Sequence, residues 1–290
     1  VADVLLHQLR SGIDVHKPTG DLCIKNRQFS KRIFQNDFDI AIWRERLFRG
    51  GGKVFATPSS LWGYQLSNLH WERAVRRLEA RHSDMFPRGL PRLLDQVLVL
   101  EDAIDWLRDN LPSLPQPFVA YFHLLPPHHP YNPRHEFIGK FNDAWEPVTK
   151  PLTPFSQQHS EEHVLSKRRM YDEYLSYTDA EFGRLYEALL SSGLMDRTTL
   201  VVTSDHGELF ERGIVGHTTE VLYDPVVRVP MLISEPGQTE QKDIRTPTAS
   251  IDVLPTLLQR AGQPVPDWCE GSVLPGFDGA TEDPHRSIYL

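Results

Sequence analysis

The chain has 290 residues, 40% of them hydrophobic and 24% charged, with a net charge of −8 at pH 7. Those values exclude a disordered or fibrous chain and suit one large α/β domain or two modest ones. The acidic balance excludes non-specific nucleic-acid binding, which needs a basic footprint, so any anionic ligand has to be attracted locally, by a metal ion or a few His and Arg side chains.

No apolar run approaches the length needed to span a bilayer. The first residues, Val-Ala-Asp-Val-Leu-Leu-His, have neither the charged nor the long apolar region of a signal peptide. The absence of an initiator Met points to a fragment or a processed product. Two cysteines, Cys23 and Cys269, make no disulfide framework and no CxxC zinc spacing.

In chain order, residues 1–40 carry no assignable pattern. Residues 43–48 predict a short helix ended by Gly50-Gly51-Gly52, and residues 53–56 a short strand stopped by Pro58. Residues 63–95 read as charged, peripheral helical structure. Leu94, Val97, Leu98, Ile104 and Leu107 recur at helical spacing and predict a helix over 94–107. Residues 117–125 are apolar, rich in β-formers and flanked by prolines, which predicts a buried strand with His123 as a core histidine. Four prolines in 126–133 force a loop, and residues 134–160 read as a surface excursion.

Residues 161–190 predict the longest helix, with Tyr174, Tyr177, Phe182, Leu185 and Leu189 as its apolar stripe and Ser191-Ser192-Gly193 as its end. Residues 198–203 and 229–234 predict strands. Residues 250–261 predict a helix capped by Asp252 and ended by Gly262 and Pro264. Strands that are apolar throughout, alternating with helices, predict an α/β fold: a mostly parallel central sheet with helices on both faces. Ligands of such folds sit at the carboxyl ends of strands.

Two polar clusters follow strands directly. Asp205 and His206, in Thr203-Ser204-Asp205-His206-Gly207-Glu208, offer a carboxylate and an imidazole side by side, suited to one divalent cation. Gly207 lets the backbone turn closely behind them. The alternative is a capping Asp followed by a surface His. His217, in Gly216-His217-Thr218, offers a further metal ligand, a proton donor or a hydrogen-bond donor to an anionic substrate, against the alternative of a solvated loop histidine. Pro127-His128-His129-Pro130-Tyr131 is a stiff loop that can hold an imidazole against an oxyanion, or simply a rigid turn packing Tyr131 and Pro130 on the surface. Arg228 reads as a structural ion pair and Asp179 as a helix-surface or capping residue.

Four segments, in order, are PFVAYFHLLPPHHPYNP (117–133), YDEYLSYTDAEFGRLYEALLSSGLMDRTTLVVTSDHGE (171–208), GHTTEVLYDPVVRVPMLIS (216–234) and ASIDVLPTLLQRAGQPVP (249–266). Together they resemble the sulfatase family of the alkaline phosphatase superfamily over about residues 94–279. The resemblance implies an alkaline phosphatase-like fold, with residues 1–290 as a single partial catalytic domain. It implies hydrolysis of a small anionic ester, a sulfate ester first, using one divalent metal ion (Ca, Mn or Zn). Asp205 and His206 take the places of metal ligands, His128 of the histidine contacting the substrate oxyanion, and His217 of a residue facing the substrate or leaving group.

Asp-His rather than Asp-Asn at the metal turn resembles the phosphonate monoesterase and phosphoglycerol transferase side of the superfamily. That keeps phosphate or phosphonate ester hydrolysis and phosphoglycerol-type transfer as alternatives, beside a non-catalytic relic of the same fold. The family's opening strand with its Asp ligands, and its nucleophile motif, have no match. Leu22 to Arg27 keeps Cys23 and Arg27 but has Lys25 where proline belongs, and residues 56–60 place Ala56 in the nucleophile slot. The expectation is that these 290 residues alone are inactive or nearly so.

Overall fold

The proline-bounded apolar runs form short strands and the longest apolar stripe forms the longest helix. The computed structural model describes residues 5–8, 76–77, 79–93, 96–97, 99–114, 116–142, 149–280 and 283–288. The described elements in chain order begin with β1 (Leu5–Gln8), β2 (Arg92–Leu93), β3 (Gln96–Val97), α1 (Leu100–Asn110) and β4 (Phe118–Tyr121). They continue with α2 (Glu161–Ser191), β5 (Leu200–Thr203), β6 (Leu209–Glu211) and β7 (Ile214–Gly216). The last are α3 (Asp224–Val227), β8 (Met231–Ser234) and α4 (Val253–Arg260). The readings at residues 43–60, including Cys23 and Arg27 before them, lie outside the described residues.

The chain divides into two compact units. The first comprises Val1–Gln8, Cys23–Ser192 and Phe210–Gly216, and the second Leu9–Leu22, Gly193–Leu209 and His217–Leu290.

In the first unit β1 pairs antiparallel with β4, Leu5 opposite Tyr121, and β2 pairs antiparallel with β3. That ribbon occupies part of the predicted 94–107 helix, so α1 begins at Leu100. It buries Leu100, Ala103, Ile104 and Leu107, an i, i+3, i+4, i+7 stripe, against α2. Strand β4 stops at Tyr121. His123 is therefore half-buried in the loop beyond it rather than in a core strand, with its Nδ1 3.5 Å from the Tyr121 hydroxyl.

Helix α2 runs for 31 residues. The Ser160 hydroxyl accepts from the His163 amide at 3.2 Å, and Glu161 and Glu162 sit in the first turn, where the helix dipole favours anions. Val164, Tyr174, Tyr177, Leu185 and Leu189 are buried, and Phe182 is half-buried. Asp179 is exposed, as a helix-surface residue should be. Two buried residues on this helix, Glu173 and Glu181, have no signal in the apolar pattern. Each is paired, which buried charge requires. Glu173 meets Arg88 and accepts the Gly139 amide at 2.7 Å. Glu181 meets Arg184, with Arg134 at 3.5 Å. Beside them the fully buried Tyr177 hydroxyl donates to Glu101. Burial and the adjacent Glu101 carboxylate both push the Tyr177 phenol far above its ordinary value.

Strands β6 and β7 form a hairpin, since a two-residue connection permits only antiparallel pairing. Its turn residues, Arg212 and Gly213, have φ of 56° and 67°, the pattern of a primed hairpin turn. The 149–160 segment lies against this hairpin: His159 donates its amide to Gly213 O at 3.1 Å, and Val215 donates to Gln157 Oε1 at 3.0 Å. A Cβ on Gly213 would fall 2.6 Å from Ser156 Oγ.

In the second unit β5 pairs antiparallel with β8, Leu200 opposite Ser234 and Thr203 opposite Met231. The α/β class holds, but the predicted largely parallel sheet does not describe these pairings. An apolar run signals cover on both faces and carries no information on direction. Parallel neighbours need a crossover element, usually a helix, across the sheet. The connection from β5 to β8 instead holds two short strands and the four-residue α3.

The predicted 250–261 helix appears as a 3₁₀ turn, Ser250–Asp252, followed by α4. Asp252 stands at the N-cap of α4 without a side-chain bond to its first turn; its carboxylate instead accepts the Ala249 amide at 2.8 Å, the back-bond of a capping box on the 3₁₀ turn. It accepts the Ser272 amide at 2.8 Å and a fork of two bonds from Arg286 at 2.6 and 2.8 Å, while fully buried. Burial pushes its carboxyl up, but the Arg286 guanidinium and the two amides outweigh this and hold it below the ordinary carboxylate range.

Candidate functional site

Strand β5 ends at Thr203, whose hydroxyl donates to Pro230 O at 2.9 Å and ties the strand end to β8. The chain then delivers Asp205 and His206 into a turn. Asp205 Oδ1 accepts the His206 amide at 3.0 Å, an Asx-type contact that folds the carboxylate back over its neighbour. The Asp205 side chain is 54% exposed and that of His206 32%.

The turn is fixed from behind by Gly207. Its amide donates to Val226 O at 2.7 Å, in α3. A Cβ at this position would lie 2.1 Å from Pro225 O, so only glycine permits the approach.

Hydrogen bonding settles the tautomer of His206. Its Nδ1 lies 2.8 Å from Gly207 O, and a carbonyl can only accept, so Nδ1 carries the proton and, in the neutral ring, Nε2 the lone pair. Nε2 is 3.8 Å from Asp205 Oδ1. Ligand bonds of about 2.0–2.2 Å place two donors on one ion roughly 3–4 Å apart. The 3.8 Å between Asp205 Oδ1 and His206 Nε2 lies within that range. Among the described residues no group of three or more His, Cys, Asp and Glu side chains is clustered for a metal.

His217 stacks on His206, with ring centroids 3.8 Å apart at an interplanar angle of 29°. Three of the residues singled out from the sequence, Asp205, His206 and His217, thus come together within the second unit. A fourth participant was not assigned a role from the sequence: Glu208, whose side chain is 5% exposed, places its two carboxylate oxygens 3.1 and 3.4 Å from His217 Nδ1. The only signal was its place directly after Asp-His-Gly.

His128 belongs to the first unit. Its Nδ1 lies 2.6 Å from His129 O, and its amide donates to Leu125 O at 2.9 Å. By the same carbonyl argument its Nε2 bears the lone pair in the neutral ring. The loop is anchored by Tyr131, which is buried rather than on the surface and packs edge-on against His129, Tyr171 and Phe210. Arg228 is exposed and makes no ion pair among the described residues; its amide closes α3 on Asp224 O at 2.8 Å.

Comparison with known proteins adds the family. The model of the family described as Sulfatase matches residues 53–263. An ulvan-active sulfatase of Formosa agariphila is 30% identical over 61% of this chain and 34% of its own length. Arylsulfatase K of Bos taurus is 29% identical over 60% of this chain and 37% of its own. A choline-sulfatase of Rhizobium meliloti is 30% identical over 59% of this chain and 38% of its own. The chain thus spans between a third and two fifths of the length of these relatives. Among solved structures, a phosphonate monoester hydrolase from Silicibacter pomeroyi superposes with a TM-score of 0.52 at 24% identity, covering 63% of this chain and 44% of that one. That likeness is one of fold. With a family model matched over most of its length, the chain belongs to the sulfatase family.

Proposed function

We propose that the full-length protein is a metal-dependent hydrolase of sulfate esters, and that Asp205 and His206 hold its divalent ion. The observation that carries this reading is the Asp205 Oδ1 to His206 Nε2 separation of 3.8 Å, with the Nε2 lone pair set by the Gly207 carbonyl. The names of the sulfatase relatives support the substrate class.

In this reading residues 1–290 are part of one catalytic domain whose complete form has the mostly parallel sheet covered on both faces. A bound divalent ion supplies charge that polarises the ester and lowers the pKa of a nucleophile. Asp205 contributes an anionic oxygen and His206 a neutral nitrogen, a mixed set that suits Mn or Zn and, with more oxygen donors, Ca. His217, stacked on His206, exchanges a hydrogen bond or proton with the leaving group. For His128 the resemblance alone supports the role of oxyanion contact, from a loop made stiff by its prolines. A chain of net charge −8 needs such local cations and donors to hold an anion. The nucleophile is assigned to no described residue of this chain.

A second reading, hydrolysis of phosphate or phosphonate esters, rests on the Asp205-His206 pairing at the metal turn. The test is to assay the full-length protein on aryl sulfate, phosphate and phosphonate monoesters beside the double variant Asp205→Ala/His206→Ala. Preferential sulfate turnover, abolished in the variant, is the expected result. Preference for phosphorus esters moves the protein to the second reading, and full turnover by the double variant removes the metal assignment.

A further inference from the structure

We propose that Glu208 is the positioning residue for His217, fixing its imidazole as the Nδ1–H tautomer so that every hydrogen bond or proton it exchanges with substrate passes through Nε2. This rests on the reading of His217 as substrate-facing, but its structural half can be tested separately. Glu208 follows the metal turn directly, so the element that fixes Asp205 and His206 also fixes this carboxylate. Its side chain is 5% exposed, and both oxygens face one atom, His217 Nδ1, at 3.1 and 3.4 Å.

A carboxylate can only accept, so Nδ1 is the donor and carries the proton. The ring is then held on two sides. The carboxylate takes its Nδ1 edge, and the His206 imidazole lies against its face at 3.8 Å. His206 is set the same way, its Nδ1–H committed to Gly207 O at 2.8 Å. In their neutral forms both stacked rings therefore carry the lone pair on Nε2. In metal and acid–base sites a partner on the second ring nitrogen selects the working tautomer and orientation. A merely structural ion pair would bury the same carboxylate without making the tautomer matter to turnover.

The test uses the full-length protein labelled with ¹⁵N-histidine, with the His217 resonances assigned by their loss in His217→Asn. In the wild-type protein the neutral His217 ring is expected to show Nδ1 as the protonated nitrogen; an Nε2–H ring there overturns the proposal without any variant. Glu208→Gln keeps an acceptor oxygen, and the Nδ1–H tautomer is expected to persist. Glu208→Leu removes the acceptor, and the ring is expected to shift toward Nε2–H. Turnover should follow the tautomer: kcat falls by about tenfold or more in Glu208→Leu with KM changed far less, and Glu208→Gln recovers most of it. Loss of kcat in Glu208→Leu with the Nδ1–H tautomer intact overturns the positioning role. Wild-type turnover in His217→Asn overturns the catalytic reading of His217 instead, and leaves the tautomer result to stand by itself.

Discussion

At the residue scale, the site depends on short-range constraints that fix where protons and lone pairs lie. Gly207 shows this most directly. The Pro225 carbonyl leaves no room for a side chain, so Gly207→Ala has to push α3 and the Asp205-His206 turn apart. We expect a loss of about 1–3 kcal/mol in stability, the cost of overpacking, read by denaturant unfolding. If Asp205 and His206 hold the ion as proposed, metal affinity should weaken with it, because the same displacement moves both side chains. Under the proposed function, His217→Ala is expected to lower kcat of the full-length protein by about a hundredfold or more, the range for a lost acid–base group. An unchanged kcat would remove His217 from the chemistry.

Asp205, His206 and His217 were singled out from the sequence, the first two because a carboxylate and an imidazole stand side by side after an apolar strand, the third because it follows them closely in the chain. Asp205 and His206 follow Leu200-Val201-Val202, and His217 sits next to them in space as well as near them in sequence. Glu208 was not legible as a partner. An acidic residue after Asp-His-Gly reads as solvated until the fold shows it buried against an imidazole.

At the element scale, buried polar groups on helices are what periodicity missed. The α2 stripe of Tyr174, Tyr177, Leu185 and Leu189 was readable, whereas Glu173 and Glu181 break the pattern and are tolerated only because Arg88, Arg134 and Arg184 meet them. Tyr177→Phe keeps the ring but strips Glu101 of its hydroxyl donor, and we expect a loss of about 1–3 kcal/mol in thermal or denaturant unfolding.

Asp252 gives a pH prediction with a definite sign. Its folded carboxyl lies below the ordinary value of 3.8, so the unfolded chain binds its proton first on acidification. The stabilisation is therefore complete well above pH 3.8 and is lost as pH falls through 3.8 toward the lower folded value. Arg286→Ala, which leaves that buried carboxylate without its fork, should cost about 3–5 kcal/mol near neutral pH and flatten this part of the acid-unfolding profile. A profile as steep as that of the wild type would contradict the assignment. Asp252 was legible as a cap from its place before an apolar helix. Its tie to Arg286 spans 34 positions and leaves no local signature.

At the scale of the whole molecule, composition and motif order were enough for class and family, and strand direction was not. The alternation of apolar strands with helices identified an α/β chain, and the order of four segments identified the sulfatase resemblance that the family match over residues 53–263 bears out. The antiparallel pairing of β5 with β8 was invisible because hydrophobicity reports burial, and direction is set by the connection between strands.

The proposed chemistry depends on whether Asp205 and His206 hold a metal ion. The most direct measurement is elemental analysis of the purified protein beside Asp205→Ala/His206→Ala, each after dialysis against metal-free buffer. A divalent metal near one equivalent is expected in the wild-type protein, and its loss in the variant. Equal metal content in the two proteins, or none in either, would contradict the metal assignment.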